Sequence, residues 1–230
     1  LLRACGFAET ISAGSRVEYN PVSSAFESVT IYYHDDGVLH KLLGARGSFS
    51  MKMGVGEKPA LSFKFIGLDG GETAVANPTQ TLTAWKTPQV ITNQNTGYLL
   101  FGCTIATGIL SGGTAYPSKG LQIDSGISVN HNPLLGGETI ELTNRAVTGK
   151  ISLDLTAAQE VTFMSTVKAN TTQSIGLQHG STAGSIIVVY APAVQLINPK
   201  KEEQNGVRLI GFDARLIPLS GNDELKIVVR

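Results

Sequence analysis

"GARGSFSM" (44–51) and "AVTGKISL" (146–153) lie about a hundred residues apart and carry the same pattern. In each, a glycine (Gly47, Gly149) opens a run of polar, apolar, serine, apolar. Each run then adds a charged and an apolar residue, Lys52–Met53 in the first and Asp154–Leu155 in the second. A period of two is the mark of a strand with one buried face, so Phe49, Met51 and Met53 should point one way and Ser48, Ser50 and Lys52 the other. Working outward, both copies sit in the same order: strand, turn, strand, glycine break, strand. Upstream of the first copy, "SVTIYY" (28–33) alternates Val29, Ile31 and Tyr33 against Thr30 and Tyr32. "HDDG" then supplies the Asp-Gly step of a tight hairpin, and "VLHKLL" returns. Upstream of the second, "LQIDSGISVNH" aligns Ile127, Val129 and His131, "NPLLGG" reads as a loop and "ETIELTN" as a strand. The shared order predicts an internal duplication, with a first unit at 1–119 that begins with an N-terminal arm over 1–26, and a second unit at 120–230.

Bulk composition fits a β protein that associates. Of 230 residues, 42% are hydrophobic, enough for a core, and 16% are charged, against roughly 25% in ordinary soluble domains. Lys+Arg and Asp+Glu balance at 18 each. Few, balanced charges repel neighbouring molecules weakly and favour association, and they argue against a protein that grips nucleic acid through a basic excess. The 26 Gly and 9 Pro, among many Thr, Ser, Val and Ile, read as strands joined by turns. No stretch approaches the ~18 consecutive apolar residues of a membrane span.

Beyond the repeated strands the halves part. "ALSFKFIG" follows the first as another strand. "TLTAWK", "QVITN", "YLLFGCTIA" and "GILSGG" suggest three or four short strands across 70–119. After the second copy, Thr156 with Gln159 forms a T-x-x-Q capping box, and Val161, Met164 and Val167 fall three apart, which predicts a helix over about 157–172. "VTFMSTV" also fits a strand by period two. The chain ends in strands: "SIIVVYAP", apolar on both faces, "AVQLI", an exposed charged tip at "NPKKEEQNG", "VRLIGFDARLIP" and "LKIVVR".

Nothing in this pattern assembles chemistry. His34–Asp35–Asp36 tempts as a metal ligand set, but Asp before Gly is a turn signal, and His40, His131 and His179 are scattered. "GVGEK" (54–58) lacks the length and the ending of a phosphate loop. "HGSTAGS" (179–185) leads into a strand, so no helix terminus faces an anion there. No G-x-S-x-G elbow occurs, and Cys5 and Cys103 share no motif. The expectation is no catalytic residue, no cofactor and no metal.

"LLRACGFAET…VEYNPVSSAFESVTIYYHDDGVLHKLLGARGSFSM" resembles the N-terminal portion of tail tube (major tail) proteins of long-tailed bacteriophages. "AGSIIVVYAPAVQLI…NGVRLIGFDARLIPLSGNDELKIVV" is similar to the closing strands of the same family. The resemblance implies a β-sandwich or barrel with a flanking helix and self-association into rings that stack as a tube. It further implies a channel for genome ejection, a place in the virion tail after assembly in the host cytoplasm, and tail terminator, tape measure and distal tail proteins as partners. Double-stranded DNA would pass without specific binding, and no membrane is involved. Strand residues Ser28, Thr30, Tyr32, Ser128, Thr139 and Glu141 are the expected channel lining. Two units per chain would let three chains form a ring with pseudo-six-fold symmetry; a single unit would need six. Alternative readings are a distal-tail, tail-terminator or secretion-tube protein and, more remotely, an all-β binding module or a hydrolase.

Overall fold

The structure, a computed structural model, describes all of residues 1–230. A 3-10 turn at Arg3–Cys5 precedes seventeen strands and one helix. The strands are β1 (Phe7–Ser12), β2 (Arg16–Pro21), β3 (Val29–Asp35), β4 (Val38–Gly54), β5 (Ala60–Ala74), β6 (Leu99–Phe101), β7 (Thr104–Ala106), β8 (Ile109–Ser111) and β9 (Thr114–Tyr116). They continue with β10 (Ser118–Asp124), β11 (Ile127–Leu134), β12 (Gly137–Arg145), β13 (Thr148–Leu153), then helix α1 (Ala157–Lys168), β14 (Thr172–His179), β15 (Ile187–Gln204), β16 (Val207–Leu216) and β17 (Lys226–Val229).

Two layers face each other across one core. The first runs β1-β2-β17-β15-β14-β6-β9; the second runs β15-β16-β13-β10-β4, with β5 and β3 on β4. All these pairings are antiparallel, and neither layer closes into a barrel. The inward side chains are the ones period two selects: Phe49, Met51 and Met53 on β4, Leu121 and Ile123 on β10, Ile151 and Leu153 on β13, and Ile210, Phe212 and Ala214 on β16. Ile175 and Leu177 of β14 and Ile227 of β17 meet them from the first layer. Phe7 and Phe49 touch edge to face across the layers, with ring centroids 5.4 Å apart. The repeated glycines have the same cause in both copies. A Cβ on Gly47 would come within 2.6 Å of the Lys64 carbonyl oxygen, and one on Gly149 within 2.8 Å of that of Gln122, so each marks a place where the neighbouring strand leaves no room.

Residues 1–119 and 120–230 share this core and this sheet. β10 lies between β4 and β13, pairing Gln122 with both Lys52 and Lys150, and β2 pairs with β17. Residues 1–21, expected as an arm, form a β-hairpin on the edge of the first layer, with Cys5 and Phe7 fully buried. The pairing partner, β17, lies at the far end of the chain, beyond the reach of local pattern.

The middle of the chain differs from expectation. "TLTAWK" and "QVITN" are not strands. Residues 75–98 form a long exposed connection in which Leu82 and Trp85 face solvent and Ile91 alone is buried. Pro78 and Pro88 flank the apolar residues and remove the amides that a ladder would need. The true elements here are shorter: β6 and β9 join β14, while β7 and β8 make a separate hairpin whose Ile105 and Leu110 cover Ile186, Val188 and Val228. That cover is why "SIIVVYAP" is apolar on both faces. "NPLLGG", expected as a loop, is mostly strand; β11 continues to Leu134 and only Leu135–Gly136 turn the chain.

The helix is real but shorter than 157–172, ending at Lys168 because Asn170 turns left-handed at φ 53° and Thr172 starts β14. Both halves of the capping box form. Val161, expected on the buried stripe, is 70% exposed; the buried anchor is Phe163. Its ring sits 5.3 Å from Phe101, 5.1 Å from Tyr116 and 5.8 Å from Phe212, so it fills the gap between the layers. Phe163→Ala should lower the unfolding free energy by about 3–5 kcal/mol, measured by urea titration of the unassembled chain.

Candidate assembly surface

The strands that bury Met51, Ile123, Ile151 and Phe212 turn their alternate residues to solvent. Adjacent strands place Lys52, Gln122, Lys150 and Asp213 in one row. Ser50, Asp124, Thr148 and Arg215 lie beside it, and Lys200 and Glu202 of β15 border it. The face is concave, with two shallow hollows of about 390 and 580 Å³. Its carboxylates are held locally. Lys52 Nζ pairs with Glu57 at 2.8 Å, Asn198 Nδ2 donates to Asp213 at 3.0 Å, Ser152 Oγ donates to Glu202 at 2.7 Å, and Asp124 accepts from the Gly126 amide at 2.8 Å. Opposite charges therefore interleave along the sheet, and no single sign dominates.

Two extensions project from this body. β3, the N-terminal half of β4 and the C-terminal part of β5 form one, turning at Asp36–Gly37 with both residues at positive φ. His34 and Asp35 are therefore the last residues of β3, and Asp36 with Gly37 makes the turn that the Asp-Gly step indicates. The β11–β12 hairpin forms the other. Thr30 and Tyr32 are exposed on β3, and Ser28 precedes that strand. On the second extension, Ser128 pairs opposite Asn144, Thr139 opposite Asn132 and Glu141 opposite Asn130; Glu141 is half-buried, the other two exposed.

Arg46 ties the two extensions together. From β4 it donates through Nη1 to the Ile140 carbonyl and to Glu141 at 3.3 Å, and through Nη2 to the Phe26 carbonyl at 2.9 Å. Arg145 grips the same lead-in from the base of the second hairpin. Its Nη1 donates to the Val22 carbonyl at 2.7 Å, its Nη2 to Asn222 at 3.1 Å, and its Nε pairs with Glu224, a carboxylate only 5% exposed. Both arginines stand just before the repeated strands. That position is the one sequence signal they offered, since every partner but Glu141 is a backbone group or a distant loop residue. Arg145→Met should cost about 3–5 kcal/mol in stability, because it leaves Glu224 buried without its cation; thermal and chemical denaturation check this.

The histidines stay apart. His40 lies 3.8 Å from Glu72 and His131 3.2 Å from Glu138, all four exposed. His179 is buried, its Nδ1 2.7 Å from Thr96 Oγ1, and pins the end of the 75–98 connection to β14. No three His, Cys, Asp or Glu side chains come together as a metal site. Burial pushes the Cys5 thiol up to about 12. No helix is long and apolar enough to cross a membrane.

Burial also holds the His179 imidazole below its ordinary value. The unfolded chain then binds a proton that the folded chain refuses, so this site's contribution is present above about pH 6.5 and lost as pH falls through the lowered folded value. Melting temperature should drop between pH 8 and pH 5.5, and His179→Gln, which cannot titrate, should flatten part of that drop in parallel melts.

With this geometry in place, comparison with known families is specific: the family model described as phage tail tube protein matches residues 1–215. No curated protein matches the chain.

Proposed function

We infer, for a chain that belongs to the phage tail tube family and is a structural subunit of the virion tail, that copies join side by side into rings and that the rings stack around a channel for DNA. The observation that carries this is the pair of unsatisfied edges on the second layer. β5 bonds only to β4, leaving its outer edge open, and beyond Gln195 the strand β15 bonds only to β16. Open edges invite pairing with another chain. Two different edges at opposite ends of one layer make a head-to-tail contact, which closes into a ring when the rotation allows.

The channel lining we propose is the concave face around Lys52, Gln122, Lys150 and Asp213. Where the extensions project past it, Ser28, Thr30, Tyr32, Ser128, Thr139 and Glu141 join the lining. Five of those six are uncharged, and the sheet face interleaves its charges. A lining of this kind releases DNA, because affinity for phosphate grows with each uncompensated Lys or Arg contact. Assembly in the host cytoplasm, the tail terminator, tape measure and distal tail proteins as neighbours, and the absence of catalysis all belong to the same reading.

The ring's copy number follows from the number of units per chain. A duplicated chain would close as three with pseudo-six-fold symmetry. The single core shared by 1–119 and 120–230 supports one unit per chain and a ring of six. Purified protein should form rings and tubes in electron micrographs, with six subunits by native mass spectrometry. Three subunits would restore the duplicated reading; a strict monomer at high concentration would remove the tube reading.

A further inference from the structure

The second layer reads β5-β4-β10-β13-β16-β15, and its two outermost strands differ in what covers them on the core side. At the β5 end the first layer stops at β1, whose Phe7 packs on Phe49 of β4. β5 overhangs that limit. Its core-side row of Leu61, Phe63 and Phe65 stands beside Met51, Phe49 and Gly47, yet Leu61 is 41% exposed and both phenylalanines are only partly buried. At the β15 end the reverse holds. Helix α1 lies beneath the sheet, with Phe163 against Phe212 and Glu160 paired with Lys201 of β15 and Arg208 of β16. One stripe of that helix, with Ala157, Val161 and Ser165 exposed and Met164 partly buried, lines a shallow hollow of about 520 Å³ to which no other element contributes. Glu160 belongs to the same stripe and reaches β15, so the stripe looks toward the free edge of that strand.

We propose that helix α1 of one copy covers the Leu61–Phe63–Phe65 row of the next, so that each core is completed by its neighbour, a contact that rests on the side-by-side ring reading above. The cover must come from another molecule. Within one chain five strand spacings separate β5 from β15, roughly 24 Å at ~4.8 Å each, and the helix sits at the far end. Strand direction favours the join. The six strands are antiparallel throughout, so in a rotated copy β15 runs opposite to the β5 it meets, and the ladder continues across the contact unbroken. Paired that way, Leu196 lies toward the Ala74 end of β5 and Gln204 toward the Ala60 end. Lys201, with the helix that Glu160 ties to it, therefore approaches the end that carries Leu61, Phe63 and Phe65. Both apolar surfaces lie on the core side of the joined sheet, so edge pairing brings them together.

Val161→Glu tests this without disturbing the fold, since that side chain lies in solvent. Circular dichroism and melting temperature of the unassembled variant should match the parent, while the concentration needed for assembly should rise at least about tenfold, the effect of losing one buried valine. Assembly at the parent concentration would overturn the proposal. A second measurement places the contact directly. With Leu61→Cys and Val161→Cys in one chain, a short bismaleimide should give a ladder of crosslinked oligomers in assembled protein, and either cysteine alone should not. Assembled protein without the ladder would sink the helix contact alone, whereas a parent chain that forms no oligomer would sink the ring reading with it.

Discussion

The fold depends on one strand doing service in two layers. β15 spans 18 residues; its first part pairs with β17 and β14, its last part with β16. To pass from one layer to the other it must bend, and it does so at two places where an extra residue is inserted. Between Ala191 and Val194 it advances three residues while β14 advances two, and between Ile197 and Lys200 it does the same against β16, with Asn198 at φ 52°. Such bulges bend a strand and sharpen its twist. The first also changes the phase of burial: Val189 and Ala191 face the core before it, Val194 and Leu196 after it. Without that phase change, one half of β15 would turn its apolar face to water.

Alternation made much of this legible in the sequence. Strands that bury one face, such as the repeated pair with Phe49–Met51 and Ile151–Leu153, announce themselves because period two and burial coincide. The Asp36–Gly37 turn and the capping box at Thr156 were equally plain, since each rests on a few adjacent residues. What stayed hidden was non-local. Whether residues 1–21 are an arm or a hairpin depends on β17, and the status of 75–98 depends on which strands have partners. Of the expected helix stripe, Met164 and Val167 pack against the core while Val161 faces solvent; the main anchor, Phe163, escapes local reading because it owes its burial to Phe101, Tyr116 and Phe212, residues that no local period reports. The expected lining residues lie on or beside the two extensions, whereas the concave sheet face has no local signature. Its members come from four strands distributed between positions 50 and 215.

The two arginines show how a repeated sequence pattern can serve one structure. Arg46 and Arg145 each precede a glycine-bounded strand, and each reaches back to carbonyls of the same irregular lead-in, Phe26 and Val22. That segment carries no ladder of its own, so its backbone acceptors need donors from elsewhere. A guanidinium, with five donors in a rigid fork, satisfies several at once. Their placement fixes the two extensions relative to the body, a requirement for any surface that must meet a copy of itself in a repeating array.

A low charge content is commonly taken as a sign of poor solubility, but here it has a structural logic that the concave face makes specific. A surface meant to remain wet and yet hold no polyanion cannot be apolar, which would make it adhere to itself, nor basic, which would make it adhere to phosphate. In the proposed lining, interleaving Lys52, Lys150 and Lys200 with Glu57, Asp213 and Glu202 meets both demands. Each carboxylate keeps a local partner, and each lysine has a carboxylate within the same lattice of side chains. A phosphate passing along such a face meets charges of both signs, so attraction and repulsion offset one another along its path.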